Sequence, residues 1–334
     1  MKIFSSLRGL VFGLVLASTM GILLGMAAGS TGLESLRTAG HDAMAWQIVW
    51  EIRLPRTLGA LAAGALLGLA GAIGQGLFRN PLADPYLLGT ASGASLGVAS
   101  ALVLFGVSPW TSELRVHLGL TGAAFVGAVL AVLLTLLLAR GVGQTLRLLL
   151  AGVVVGVVMG AMTSFITLLH PDVLAGMQGF NLGSTAFISW TSCLWMSLVA
   201  IVCIGLAWRM GFALDALTLG ESTAISLGVD LRLVRIVFVL VMALATGTAV
   251  AQTGLVAFVG LVAPHLVRSS VPVKHAALLW LSAWMGGVLL LLADVLARIL
   301  FAPQEMPVGV WTAVLGGGYL LWMMYRSPST RGVS

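Results

Sequence analysis

Apolar segments of about 20 residues follow one another along most of this 334-residue chain, with short polar segments between them. A segment of this length spans the hydrocarbon core of a bilayer as an α-helix. The pattern predicts an all-α polytopic membrane protein. The eighth segment is short, so we expect it either to continue to about Arg268 or to be a broken helix. The ten predicted transmembrane helices lie at about 8–28, 54–76, 86–106, 118–139, 148–169, 186–208, 233–250, 254–264, 276–298 and 307–325.

The composition agrees with this pattern, because 59% of the residues are hydrophobic, only 8% are charged and the mean hydropathy is +1.08. Soluble domains carry about a quarter charged residues. The first segment has a basic flank like that of a secretory signal, but it lacks a convincing cleavage site and precedes many further spans. We interpret it as the first transmembrane helix. The high pI is typical of basic loops beside anionic lipid, so no nucleic-acid partner is expected.

The distribution of lysine and arginine predicts the orientation in the membrane. Ten spans place both termini on the same side. If that side is the cytoplasm, 12 of the 17 basic residues lie there and five lie outside, as expected for positively charged cytoplasmic loops. The polar segment 211–230 is then cytoplasmic as well. It is too long for a simple turn and is predicted to form a pair of short helices with Gly220 near the middle.

Several motifs of enzymes and metal sites are absent from the sequence. Neither Lys2 nor Lys274 belongs to a Gly-Lys-Ser/Thr phosphate-binding motif, and there is no His-Glu-x-x-His zinc helix. We therefore expect no ATPase activity, cofactor or metal in this chain, and an ATP-driven role would need a second polypeptide. Cys193 and Cys203 lie about 15 Å apart along one predicted helix, which is too far for a disulfide. They are predicted to be packed or lipid-facing thiols.

Charged residues within the predicted spans are scarce, and this scarcity bears on which class of membrane protein the chain belongs to. Asp294 lies four residues before Arg298 on one helix face, and we favour a structural ion pair. An ion-coupled secondary carrier remains an alternative, since such carriers use ionisable residues near the middle of the membrane. An intramembrane enzyme is a third hypothesis, but no nucleophile–base pair or ligand set supports it.

Five polar or glycine-rich motifs occur in a fixed order near the predicted helix ends. They are "EIRLPR", "FRNPLADPYLLGTASGASLG", "LTLGESTAISLGV", "GLVAFVGLVAPHLVR" and "LLLADVLARILFAPQEMPVGVWTAVLGG". In the second motif Pro81 and Pro85 are expected to end a helix, and Asp84 to cap the next one. Together the motifs resemble the FecCD-type permease subunits of ABC importers for cobalamin, haem and iron-siderophore complexes.

This resemblance implies a type II ABC importer permease fold, with residues 1–334 as a single transmembrane domain in the bacterial inner membrane. The implied partners are a second permease copy, two cytoplasmic ATPases that bind ATP and Mg, and a periplasmic binding protein. Iron-siderophore is the first expectation for the substrate. Haem is the second, because His170 and Met177 near the predicted outer mouth carry groups suited to haem iron. Cobalamin is the third.

The resemblance also implies roles for individual residues. The segment 211–230 corresponds to the coupling helices, where the ATPases are contacted by Leu217, Gly220, Glu221, Ala224, Leu227 and Gly228. The binding protein is contacted by Arg53, Arg56 and Arg298, an outer basic cluster suited to an acidic partner. The cytoplasmic gate contains Asn80, Leu82, Thr145 and Leu146, and the pathway is lined by Gly152, Gly156 and Gly160. The chain departs from the family pattern at Leu146 and at Gly316, Gly317 and Gly318. These departures weaken the inference that its substrate is that of the cobalamin permeases.

Overall fold

The computed structural model describes residues 6–29, 32–33, 43–105, 114–139 and 145–326. A pair of two-residue antiparallel strands, Ala28–Gly29 and Gly32–Leu33, follows the first α-helix. A π-helical turn, Val49–Arg53, precedes the third α-helix, and a 3-10 turn, Pro85–Leu88, precedes the fourth α-helix. The α-helices are α1 Leu7–Ala27, α2 Ala43–Ile48, α3 Leu54–Leu77, α4 Thr90–Phe105, α5 Leu114–Leu138, α6 Thr145–Leu169, α7 Pro171–Leu182, α8 Trp190–Arg209, α9 Gly211–Thr218, α10 Glu221–Ser226, α11 Leu231–Thr253, α12 Val259–Ser270, α13 His275–Ile299 and α14 Val308–Arg326.

The predicted multi-pass helical architecture is confirmed. Seven helical segments of the described chain are long and apolar enough to cross a membrane, and α4 and the apolar part of α14 are shorter. The eighth predicted span corresponds to α12, which has only 12 residues. Each of the ten predicted spans therefore has a helix in the structure.

Helix α3 lies at the centre of the bundle, and small residues let its neighbours approach closely. A Cβ atom added to Gly64 would collide with the backbone of Gly286 in α13, and one added to Gly71 would collide with the backbone of Gly260 in α12. Close backbone contacts of this kind replace the hydrophobic effect as a source of helix association in lipid. The core therefore depends on glycine where α3 crosses its neighbours.

The chain between α11 and α12 is non-helical, so the predicted start of the eighth helix at residue 254 is five residues early. The helix itself is unbroken and continues to Ser270, which agrees with the alternative that it extends to about Arg268. Gly254 and Phe258 both have a φ of +67°. The intervening backbone is bonded to other segments: Leu255 N–H donates to the Phe180 carbonyl at 3.0 Å, and the Tyr86 hydroxyl donates to the Val256 carbonyl at 2.9 Å. Irregular backbone is tolerated at membrane depth when protein groups satisfy it in this way.

Candidate functional site

Two of the three arginines predicted at the outer side, Arg56 and Arg298, contact Asp294 at one end of the bundle and form an ion cluster with it. The Arg56 Nε donates to Asp294 Oδ1 at 3.1 Å, and Arg298 in the last turn of α13 pairs with Asp294 Oδ2. Thr185 also donates to Asp294 Oδ1, at 2.5 Å. The carboxylate is fully buried. Three side chains from three parts of the sequence therefore bond to one buried acid.

The remaining contacts of this ion cluster tie α1 and the chain after α13 to it. Arg298 Nη1 donates to the Gly25 carbonyl at 2.9 Å, and Arg56 Nη1 donates to Glu305 Oε2 at 2.7 Å. Arg53 donates to the Met26 carbonyl at 3.4 Å. The predicted Asp294–Arg298 pair is confirmed, and its partners Arg56 and Glu305 could not be assigned from i,i+4 spacing.

The burial of these arginines changes their predicted docking role. Arg298 is only 1% exposed and lies inside the ion cluster, so the prediction that it faces a docking partner is wrong for this structure. Arg53 and Arg56 are 9% and 8% exposed. Docking by those two arginines stays a prediction. A mutation of Arg56 would also remove its buried ion pair with Asp294.

The segment 211–230, which we call the knuckle, forms the two predicted short helices α9 and α10. Gly220 separates them with a φ of +106°, and Gly228 follows α10 with a φ of +79°. These left-handed values favour glycine. Asp215 accepts a hydrogen bond from the backbone N–H of His275 at 3.0 Å and lies 2.7 Å from its Nδ1, so α9 is attached to the start of α13.

The burial of the knuckle residues corrects part of the coupling prediction. Ala224 is 0% exposed and Leu217 is 3% exposed within the chain itself, so neither side chain faces a partner. Six- and eight-residue helices are too short for sequence periodicity to decide which face is buried. The exposed apolar surface of the knuckle is instead formed by Phe212, Leu219, Ile225 and Leu227.

The predicted gate residues Asn80 and Leu82 lie in the loop between α3 and the 3-10 turn. The Asn80 side chain accepts a hydrogen bond from the Leu82 backbone N–H at 2.9 Å. Asp84 accepts from the Tyr86 N–H at 2.8 Å and caps the 3-10 turn, which confirms its predicted capping role one turn before α4. Burial raises the pKa of the Asp84 carboxyl, and this hydrogen bond partly offsets the shift.

The other half of the predicted gate is the first turn of α6, which begins at Thr145. Leu146 is 69% exposed there. Further along α6, Gly152 lies so close to the Leu87 backbone that no Cβ would fit. Gly152 therefore packs against the chain's own 3-10 turn, and its pathway-lining role stays a prediction. Gly156 and Gly160 are half-buried beside Ser92, where pathway lining stays a prediction.

Helix α7 was not predicted, and it explains why one proposed haem contact is unavailable. Met177 on α7 is 2% exposed and packs with Val98 and Val250, so its thioether cannot reach a substrate in this structure. His170 precedes α7 and is exposed. Pro171 at the first helical position and Gly183 just after the last are start and stop signals that could have identified this helix.

The structure also places His265 and the two cysteines. His265 lies inside α12, with its ring 5.8 Å from that of Tyr319. Cys193 and Cys203 are free and buried, which confirms that they form no disulfide and shows that they are packed rather than lipid-facing. Among the described residues, no group of three or more potential metal ligands is found.

The fold is a bundle of helices long and apolar enough to cross a membrane, with the knuckle attached to the start of α13 and the ion cluster at its opposite end. Residues 9–326 match the FecCD transport family, and the chain belongs to that family. It is 39% identical over 320 residues to the hemin transport system permease protein of Yersinia pestis, covering 93% of this chain and 94% of the relative. It is also 39% identical over 283 residues to the vitamin B12 import system permease protein of Vibrio cholerae, covering 84% and 83%.

Comparison of structures gives the same class. A solved chain described as a metal-chelate type ABC transporter in an inward-facing conformation superposes with a TM-score of 0.83 at 28% sequence identity. The match covers 94% of this chain and 98% of the solved one. The predicted resemblance and the ABC-permease fold are therefore confirmed.

Proposed function

We propose that this chain is the transmembrane permease of an ATP-driven importer that moves a metal chelate into the cell. The observation that carries this proposal is the exposed apolar surface of the knuckle, formed by Phe212, Leu219, Ile225 and Leu227. Exposed apolar patches rimmed by polar residues mark protein interaction sites. An ABC permease needs such a surface because ATP is hydrolysed on separate ATPase chains that bind ATP and Mg. A secondary carrier has no need of it.

The proposed assembly contains two permease copies, two ATPases and a periplasmic binding protein in the inner membrane. The broad apolar face of α6, which includes Val153, Val157 and Phe165, is exposed in the single chain and supports burial against lipid or a second copy.

Both termini and the knuckle are proposed to be cytoplasmic. A cysteine introduced at the exposed Ser222 should then react with an impermeant thiol reagent only in inside-out vesicles. Because both native cysteines are buried, labelling of right-side-out cells would contradict this orientation.

Docking of the binding protein is proposed at the outer end, where Arg53 lies at the rim of the ion cluster. Arg53→Glu should weaken binding of the periplasmic protein about tenfold at low salt, because opposite charges across an interface both steer and hold a complex. The difference should shrink as salt rises. Affinity measured on the permease in nanodiscs tests this.

Glu51→Gln is the matched control, since Glu51 is exposed, lies two residues away and hydrogen-bonds only to Gln47 among the described residues. It removes a charge of the opposite sign and should leave affinity unchanged or slightly higher. Equal affinities of the binding protein for Arg53→Glu and for the wild type would show that Arg53 makes no contact with the binding protein.

Iron-siderophore is proposed as the substrate, with haem and cobalamin as the competing candidates. The similarity to a hemin permease and to vitamin B12 permeases supports the broader class of bulky metal chelates. The burial of Met177 removes one of the two groups that favoured haem. Uptake assays with the cognate binding protein and each of the three compounds decide between them. Accumulation of haem or cobalamin without that of a ferric siderophore would reject the siderophore assignment.

A further inference from the structure

We propose that Glu221 and Arg79 form an ion pair that positions the gate loop relative to the knuckle and passes knuckle movement to that loop. This inference rests on the proposed function, because it assigns a transmission role within the same coupling step. The ion pair joins the knuckle to the loop between α3 and the 3-10 turn, which contains Asn80 and Leu82 and which we call the gate loop.

Glu221 is placed by the backbone at the junction of the two knuckle helices. It is the first residue of α10, directly after the left-handed Gly220. Its Oε1 atom accepts a hydrogen bond from Arg235 Nη2 at 2.6 Å and lies 3.7 Å from Arg79 Nη2. One carboxylate oxygen therefore contacts arginines from two different membrane-spanning regions.

The two arginines differ in burial, and this gives the two contacts different properties. The Arg235 side chain is 7% exposed and projects from α11, so it fixes α10 to that helix. The Arg79 side chain is 49% exposed, and that of Glu221 is 42% exposed. Ion pairs this exposed contribute little to stability. The contact with Arg79 can therefore form and break during a transport cycle without unfolding the chain.

Arg79 is well placed to move the gate loop because it is held in an unusual backbone conformation next to that loop. Its φ is +49°, a value that non-glycine residues seldom adopt. The adjacent Asn80 N–H donates to the Gln75 carbonyl at 3.2 Å, and the Ala83 N–H donates to the Asn80 carbonyl at 3.0 Å. The loop is thus a bonded unit in which a displacement of Arg79 displaces Asn80 and Leu82 as well.

The test uses liposomes that contain the permease, its ATPase and its binding protein, and it measures substrate imported per ATP hydrolysed. Arg79→Gln should lower this ratio about three- to fivefold. Arg79→Lys keeps the charge and should retain most of the ratio. Glu221→Gln should lower it at least as much as Arg79→Gln, because it removes both contacts. ATPase co-purification and the thermal midpoint of Arg79→Gln should match the wild type.

Arg209→Gln is the matched control, since Arg209 is exposed at the end of α8 just before the knuckle and has no ion pair among the described residues. It should keep the wild-type ratio. A wild-type ratio in Arg79→Gln would overturn the inference, and so would loss of ATPase co-purification, which would make Arg79 a docking residue. Absence of ATP-dependent uptake by the unmutated assembly is a separate result, which would reject the proposed function instead.

Discussion

Replacing Asp294 with asparagine should destabilise the protein more than any other single change of charge. Asp294 is fully buried and accepts from Arg56, Arg298 and Thr185. Asparagine keeps the size of the side chain but removes the negative charge. Arg56 would then keep the carboxylate of Glu305, whose side chain is 30% exposed. Arg298 would keep hydrogen bonds only to the uncharged Gly25 carbonyl and Thr57 hydroxyl among the described residues. Removing one partner of a buried ion pair typically costs about 3–5 kcal/mol.

The thermal midpoint of the purified protein in detergent measures this effect. Glu305→Gln is the matched control, because it removes a charge from the rim of the same cluster and should lower the midpoint much less. The double variant Asp294→Asn/Arg298→Met should recover part of the loss, since it removes the unpaired charge along with its partner. An Asp294→Asn midpoint equal to that of Glu305→Gln would contradict the assignment of Asp294 as the centre of the cluster.

Gly71→Ala should have the second largest effect, through steric conflict rather than charge. The new Cβ would overlap the carbonyl group of Gly260, which belongs to the backbone of α12 and cannot rotate away. Overpacking of a tight core commonly costs about 1–3 kcal/mol and occasionally more. We expect a lower thermal midpoint and a lower yield of folded protein.

Gly74→Ala on the same helix provides the matched comparison. Its Cβ would lie 3.4 Å from Met242 Sδ and 4.0 Å from the Ala83 Cβ, which is ordinary van der Waals contact. This variant should be as stable as the wild type, or slightly more stable because alanine favours the helix. Equal loss of stability in Gly71→Ala and Gly74→Ala would show that the loss comes from replacing a glycine within α3 itself and not from the close approach of α12.

The sequence predicted the features that depend on length or on local spacing. The spans were recognisable because each apolar segment is long enough to cross a bilayer. The Asp294–Arg298 pair followed from i,i+4 spacing, and the polar segment 211–230 was expected to form two short helices with Gly220 near the middle. These signals act over a few residues or a single helix, so no tertiary information was needed.

Features that depend on distant contacts were missed or misassigned. Arg56 and Asp294 are 238 residues apart in the sequence, and their ion pair left no local signal. Arg298 was expected at a docking surface because the family resemblance implied it, whereas its ion pair with Asp294 holds it inside the bundle. The burial of Ala224 likewise depends on how α10 packs against the rest of the chain.

The most direct test of the account is ATP-driven accumulation in liposomes that contain this permease and its ATPase. ATP with Mg is enclosed in the lumen, and the loaded binding protein is added outside. We predict that substrate accumulates only with hydrolysable ATP and with binding protein, and that imposed proton or sodium gradients have no effect. Accumulation without ATP that follows a proton or sodium gradient would contradict the account and identify a secondary carrier.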